Sequence, residues 1–266
     1  MKLSSIRWNL ATKFLVPIVS LIVVGMGLTT YLSYLESAKA LEDSIRSELS
    51  QVTKNLSMQI DHWVLDLVED VGIAASRNIL VAPLVAESPE ERLQAVDSAN
   101  AALEDMLERS KAYEFLAVVD SSGQIASCSN ADQIGLDLSD RNYFKKMMEG
   151  KESISEPVVS RVSGNPVFVV AQPVRNSSGT VLGGVIGVVD LALFSETFID
   201  PLVFGSQGYA YLMTDEGVVL AYPDKERILE LDLSTFSFGR EMIQELNGYK
   251  AYEWKERMKE VAFYSI

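Results

Sequence analysis

The chain carries one cysteine, Cys128, and one histidine, His62. A thiol becomes a strong nucleophile when an imidazole or another cation lowers its pKa, so cysteine chemistry here would need the two side chains to meet. Their settings keep them apart. His62 stands beside Trp63 in a helical apolar pattern, whereas Cys128 falls in a strand-like stretch, 124–129. One histidine excludes a His-rich metal site, and one cysteine excludes an internal disulfide. A Gly-Lys-Ser/Thr phosphate loop and an Asp-rich calcium loop are also missing. Asp120 and Asp215 sit in Asp-Ser-Ser-Gly and Asp-Glu-Gly segments, where a short acid bonding its own backbone makes a turn. The inventory points to a non-enzymatic chain with no metal and no cofactor, any enzymatic output lying beyond it.

Acidic residues outnumber basic ones by 37 to 23, for a net charge of −14. A nucleic-acid surface needs clustered Lys and Arg, so no nucleic-acid partner is expected. The charge otherwise describes a soluble acidic surface. The 266 residues, 48% hydrophobic, leave room for a membrane segment and one or two domains.

The elements that must position any site begin at the N-terminus. No charge occurs from Phe14 to Leu35, and about 20 helical residues cross a hydrocarbon core. Residues 14–35 are therefore predicted to form a transmembrane helix. Lys2, Arg7 and Lys13 precede it, and Glu36, Glu42 and Asp43 follow. The positive-inside bias puts residues 1–13 in the cytoplasm and the bulk of the chain outside, as a single-pass protein of the inner (plasma) membrane. A cleaved signal peptide ending at Ala38-Lys39-Ala40 is the competing reading, although the apolar run exceeds the usual length of such peptides. Both readings export the rest of the chain.

A long amphipathic helix is predicted over 36–80. Its apolar residues, from Leu41 and Ile45 through Leu56, Ile60, Trp63 and Leu67 to Ala74, recur in steps of 4, 4 and 3. That repeat stays close to the natural helical period and keeps the stripe on one face without strong supercoiling. The stripe could pack along its own domain or join two copies in a homodimer, and one helix can do both. Ala82-Pro83 and Ser88-Pro89 read as breakers, with Ser88-Pro-Glu-Glu91 opening another helix.

Two copies of one β-motif follow. Phe115-Leu-Ala-Val-Val-Asp-Ser-Ser-Gly123 and Tyr209-Ala-Tyr-Leu-Met-Thr-Asp-Glu-Gly217 each read as strand and turn, and each is followed by Leu-Asp-Leu-Ser, at 136–139 and 231–234. Between them come a short helix near 143–148 and strands predicted at 154–161, 167–174 and 180–189.

The order of long helix, hairpin, Asp-Arg-Asn-Tyr-Phe (140–144), Ser-Glu-Pro (155–157), Gln-Pro-Val (172–174) and Gly-Val-Val-Asp-Leu (187–191) resembles the double Cache sensors of bacterial and archaeal chemoreceptors, sensor kinases and diguanylate cyclases. The resemblance implies an α+β fold: transmembrane helix, stalk helix, a membrane-distal PAS-like lobe over 81–200 and a membrane-proximal PAS-like lobe over 201–266. The second lobe is expected to be incomplete, because Val261-Ala-Phe-Tyr-Ser-Ile266 reads as mid-strand. The resemblance also implies a small-molecule pocket in the distal lobe, with Arg141, Tyr143, Phe144 and Asp190 as its main residues and Ser127, Ser160 and Gln172 as further candidates. An arginine fork would hold a carboxylate, a tyrosine would cover the ligand, and an aspartate would accept from an ammonium or hydroxyl. Plainer roles compete: Asp140 as the cap of the helix at 143, Asp190 as the cap of a helix beginning near Leu191, and Tyr143 and Phe144 as core. The amino-acid-binding branch of the family carries a Tyr and an Asp on the Ser-Glu-Pro strand, where this chain has Val158 and Ser160. A small organic carboxylate is therefore the first expectation and an amino acid the second. A structural or partner-docking module of the same fold is the alternative.

Overall fold

The structure is a computed structural model that describes residues 10–205, 207–254 and 256–266, with nothing said of the side chains of 11–13. Lys2 and Arg7, which carry much of the charge bias ahead of the apolar run, lie outside the described residues. The chain divides into two compact units. One runs up to Thr53 and includes Tyr249–Phe263; the other holds Lys54–Gly248 and Tyr264–Ile266.

Helix α1 runs over Leu10–Ala75. Its N-terminal segment is long and apolar enough to cross a membrane, with a mean hydropathy of 2.1 over its most apolar stretch and none of that stretch buried. Proline stops no part of the helix after Pro17. The apolar stripe is buried progressively. Leu41 and Ile45 are exposed, Leu56 is half-buried, and Ile60, Leu67, Val71 and Ala74 are buried. Helices α2 (Asn78–Val85) and α3 (Pro89–Arg109) follow. Ser88 and Glu91 form a reciprocal capping box at the start of α3. Pro83, read from sequence as a breaker, lies inside α2. A proline there removes one backbone bond from a helix that ends two residues later, so it shortens the helix rather than preventing it.

Strands β1 (Phe115–Asp120), β2 (Ile125–Cys128), β3 (Ser153–Ile154), β4 (Val158–Val159), β5 (Pro166–Arg175) and β6 (Val181–Asp190) form one antiparallel sheet in the order β2-β1-β6-β5-β3, with β4 also on β5. Helix α4 (Asn142–Met148) precedes β3, and α5 (Leu191–Phe198) follows β6 directly. The strand expected at 154–161 is broken between Ile154 and Val158. Pro157 has no amide to donate, and Ser155 turns its hydroxyl to the Glu156 carbonyl while accepting from the Val169 amide.

Alternation along the strands sorts the sheet into two faces. Leu116, Val118, Val170, Val174, Val185 and Val189 pack against Leu67, Val71 and Ala74 of α1 and Leu103 of α3. Phe115, Ala117, Val169, Ala171 and Val188 pack against Tyr143, Phe144 and Met147 of α4.

The second lobe continues in the same unit with β7 (Val203–Phe204) paired to β8 (Gly208–Tyr209) and β9 (Leu212–Met213) paired to β10 (Val219–Ala221), followed by α6 (Ser237–Glu245). Ala221, Phe194 of α5 and Ile199 just after that helix share a core with Ile60. The other unit closes with a hairpin of β11 (Gly248–Trp254) and β12 (Arg257–Phe263), on which the Arg46 guanidinium sits 4.7 Å from the Tyr249 ring centre.

The duplicated sequence is a duplicated structure. The Leu138 and Leu233 amides donate to the Gly123 and Gly217 carbonyls, both at 2.8 Å, and both leucines are buried. Asp137 and Asp232 hold the Ser139 and Ser234 amides at 2.9 and 2.8 Å. The Leu-Asp-Leu-Ser repeat is thus a strap that returns over its own hairpin turn. Gly123 (φ +92°) and Gly217 (φ +101°) admit the strap, because an added Cβ would stand 2.6 Å from Ser139 Cβ or 2.7 Å from Ser234 N. Gly123→Ala should cost more than the roughly 1–2 kcal/mol of left-handed strain alone, whereas Gly179→Ala, at φ +85° with open space around it, should cost only that strain. Denaturant unfolding of the two variants checks the difference.

Candidate ligand-binding site

A pocket of about 290 Å³, counting its open mouth, lies on the α4 side of the sheet. Its wall includes Phe115, Leu138, Arg141, Tyr143, Ser160 and Arg161. The lining is largely apolar with a few polar groups, as small-molecule sites are.

Arg141 stands at the N-terminal boundary of α4 without capping it. Its Nη2 donates to the Val159 carbonyl at 3.1 Å, and its Nε is buried with no partner. Tyr143, the second residue of α4, is 5% exposed. Burial pushes its phenol up to about 12 against the pull of Arg141 and Arg161, so the hydroxyl stays neutral and can donate.

Asp140 does not cap α4 as one sequence reading expected. Its Oδ2 meets Arg161 Nη2 at 2.6 Å, while Arg161 Nη1 donates to the Asp137 carbonyl at 2.5 Å. The fork of Arg161 thereby fastens the 160–165 loop to the 137–140 strap, two segments that both border the pocket. Its hydrogen bond holds the Asp140 carboxyl below the usual carboxylate range.

Asp190 adopts the plainer of its two expected roles. Oδ1 accepts from the Ala192 and Leu193 amides at 2.6 and 3.3 Å, capping α5, and Oδ2 accepts from Asn165 Nδ2 at 2.8 Å. It does not line the pocket. Phe144 belongs to the core on the same side of the sheet without reaching the wall.

Ser127 and Gln172 fall on the other face. Ser127 is paired across the sheet with Val118, which packs toward α1, and Gln172 donates from Nε2 to the Val68 carbonyl of α1 at 3.3 Å and to Glu152 at 3.1 Å. Side chains directly opposite on paired strands share a face, so neither residue can reach the α4 side. Ser160 does line the pocket. Its hydroxyl donates to Glu114 Oε1 at 3.1 Å and accepts from the Val162 and Ser163 amides.

The pocket thus gathers Arg141, Tyr143 and Ser160 from the sequence candidates and adds Arg161, with Glu114 behind Ser160. Among the described residues no group of three or more His, Cys, Asp or Glu side chains is placed to hold a metal ion.

The Cache domain family model matches residues 37–266. The chain belongs to the Cache family. It is 33% identical over 98 residues to the methyl-accepting chemotaxis protein McpG of Pseudomonas putida, covering 36% of this chain and 15% of that protein. The match therefore spans a small part of that relative's length. Among solved structures, the ligand-binding domain of the Pseudomonas aeruginosa amino acid chemoreceptor PctB in complex with L-Arg is similar at a TM-score of 0.58 and 17% identity, covering 83% of this chain and 88% of that one. The sensor domain of the Vibrio cholerae histidine kinase DctB is similar at 0.59 and 19%, covering 70% and 69%. At these identities the structural likeness establishes the fold alone: a long N-terminal helix and antiparallel sheets forming PAS-like lobes.

The Arg161 latch has a measurable consequence. The folded Asp140 pKa lies below its unfolded value of about 3.9, so the pair's contribution is fully present above that value and is lost as pH falls through the lowered folded one. Arg161→Gln should return Asp140 to the ordinary range in a carboxyl NMR titration and reduce the pH dependence of stability on the acid side. An unchanged Asp140 titration would remove the latch from the account.

Proposed function

We propose that this chain is the anchored extracytoplasmic sensor region of a transmembrane signalling receptor, and that its membrane-distal lobe, residues 81–200, binds a small molecule bearing a carboxylate. Residues 14–35 cross the membrane with residues 1–13 on the cytoplasmic side, 36–80 form the stalk, and 201–266 form the membrane-proximal lobe. The exposed lower stripe of the stalk, with Leu41 and Ile45, is the surface through which two copies pair. The chain itself does no catalysis.

The observation that carries the ligand reading is the Arg141 Nε, a buried donor without a partner on the wall of a pocket. A buried donor left unmade costs about 1–3 kcal/mol, and a bond to a charged partner contributes about 1.5–3 kcal/mol. A carboxylate in the pocket removes the first and adds the second. Tyr143 supplies an apolar ring and a neutral hydroxyl beside it. The chemoreceptor PctB, whose fold this chain shares, was solved with an amino acid bound, which supports a carboxylate-bearing ligand.

A route from pocket to stalk follows from the sheet. The strands whose one face lines the pocket carry on the other face the residues that grip α1. A ligand shifts the stalk only by its differential affinity for two arrangements of that packing.

In thermal unfolding of the full chain in detergent, with a panel of carboxylates and amino acids, a ligand at about 100 times its Kd should add roughly 2.7 kcal/mol of stability. Arg141→Ala should abolish that gain. A gain that survives in Arg141→Ala would place the ligand elsewhere. No gain from any compound in the folded protein would favour a docking module of the same fold.

A further inference from the structure

We infer that the turn end of the β11–β12 hairpin rests on the outer surface of the membrane, with Trp254 and Met258 in the interfacial layer and Arg257 and Lys259 on the headgroups of anionic lipids. The inference rests on the reading of residues 14–35 as the membrane span and goes beyond it, because it gives the bilayer a second point of contact.

Three contacts set the direction in which the hairpin runs along α1. Thr53 Oγ1 lies 3.5 Å from the Ala262 carbonyl oxygen. The Arg46 guanidinium sits 4.7 Å from the Tyr249 ring centre, and the Tyr249 hydroxyl donates to Glu260. That hydroxyl also feels the charge of Glu42. Stepping back along β12 from Ala262 to Glu260 therefore descends α1 from Thr53 toward Arg46 and Glu42. The turn at Glu256 continues in that direction, toward the apolar run.

The heights agree. From Thr53 to Leu35, the last residue of the apolar run, α1 descends about 27 Å at 1.5 Å per residue. From Ala262 to Glu256, the chain descends about 20 Å at about 3.3 Å per residue. The turn thus arrives about 7 Å above the end of the apolar run, and the headgroup layer on each side of a hydrocarbon core is about 5–8 Å deep.

The residues at that level have interfacial chemistry. Tyr31 and Tyr34, 60% and 69% exposed near the outer end of the span, are of the aromatic type that marks a membrane surface. Trp254, the last residue of β11, adds a third such ring. Met258 is 72% exposed, more than any large apolar side chain outside α1 among the described residues, and the interfacial layer would cover it. Arg257 is exposed and Lys259 half-buried. The run Trp254-Lys-Glu-Arg-Met-Lys259 holds three basic residues to one acid in a chain of net charge −14. The flank of α1 carries Glu36, Glu42 and Asp43 against Lys39, so the hairpin is what supplies an excess of cations at the surface, where they attract anionic lipid.

The test is methyl NMR of the full chain, carrying ¹³C-methyl methionine, in nanodiscs of phosphatidylcholine with and without phosphatidylglycerol. Met258→Leu assigns the Met258 signal. A nitroxide on the lipid headgroup should relax the Met258 methyl, several-fold faster when phosphatidylglycerol is present, and leave Met58 untouched, since α1 carries it about 35 Å beyond Leu35. A nitroxide on the acyl chain should relax Met26, within the span. Arg257→Gln combined with Lys259→Gln should remove the dependence on phosphatidylglycerol. Met26 relaxed with Met258 unaffected would overturn the contact and leave the span standing, with the hairpin turned to water or to another protein. Equal relaxation of Met258 in the two lipid mixtures would overturn the role of Arg257 and Lys259. Met26 unaffected by the acyl-chain label would overturn the membrane reading and this inference with it. If the double variant does not fold, the wild-type chain in the two lipid mixtures decides.

Discussion

A single six-stranded antiparallel sheet, buried on both faces, is the constraint on which the rest of the structure depends. Successive side chains of a strand point to opposite sides. In β1, Leu116 and Val118 face α1 while Phe115 and Ala117 face α4. In β5, Val170 and Val174 go one way and Val169 and Ala171 the other. A slip of one residue in any central strand would exchange the two sets. The same registration that buries the stalk stripe therefore builds the pocket wall, and the two faces cannot be altered independently.

On the pocket side, polar bonds add to the apolar packing against α4. Arg161 joins the 160–165 loop to the 137–140 strap, Asn165 joins that loop to Asp190, and Asp190 caps α5. Phe194 of α5 then packs, tilted, against Trp63 of α1 at 5.4 Å between ring centres. The loop that borders the pocket thus connects through Asn165, Asp190 and α5 to the long helix. Lys225 extends the chain of contacts into the second lobe, pairing with Asp200 at 2.6 Å just beyond α5 and donating to Ser195 within it at 2.8 Å. These are packed elements with shared partners, the physical condition for coupling between sites.

Much of this was legible in the sequence. The 4-4-3 stripe identified a long helix because a helix that packs on one side must repeat its apolar residues at its own period, and the duplicated hairpin with its Leu-Asp-Leu-Ser strap marked two lobes. Arg141, Tyr143 and Ser160 were identified from a resemblance, and the structure brings them to one pocket. Ser127 and Gln172 were misplaced for a physical reason. Ile125 to Cys128 is buried throughout and β5 is mostly so, and a strand covered on both faces loses the alternation that would reveal which way a residue points. Asp140 and Pro83 were read by local rules that a distant partner, Arg161, and an early helix end overrode.

The central claim is that a ligand satisfies Arg141. The most direct measurement is the ¹⁵N–¹H resonance of the Arg141 Nε in the full chain, with and without a saturating ligand found by stabilisation screening. The account requires a downfield proton shift and slower exchange when a carboxylate becomes its partner. A saturated protein in which that resonance keeps its position would contradict it.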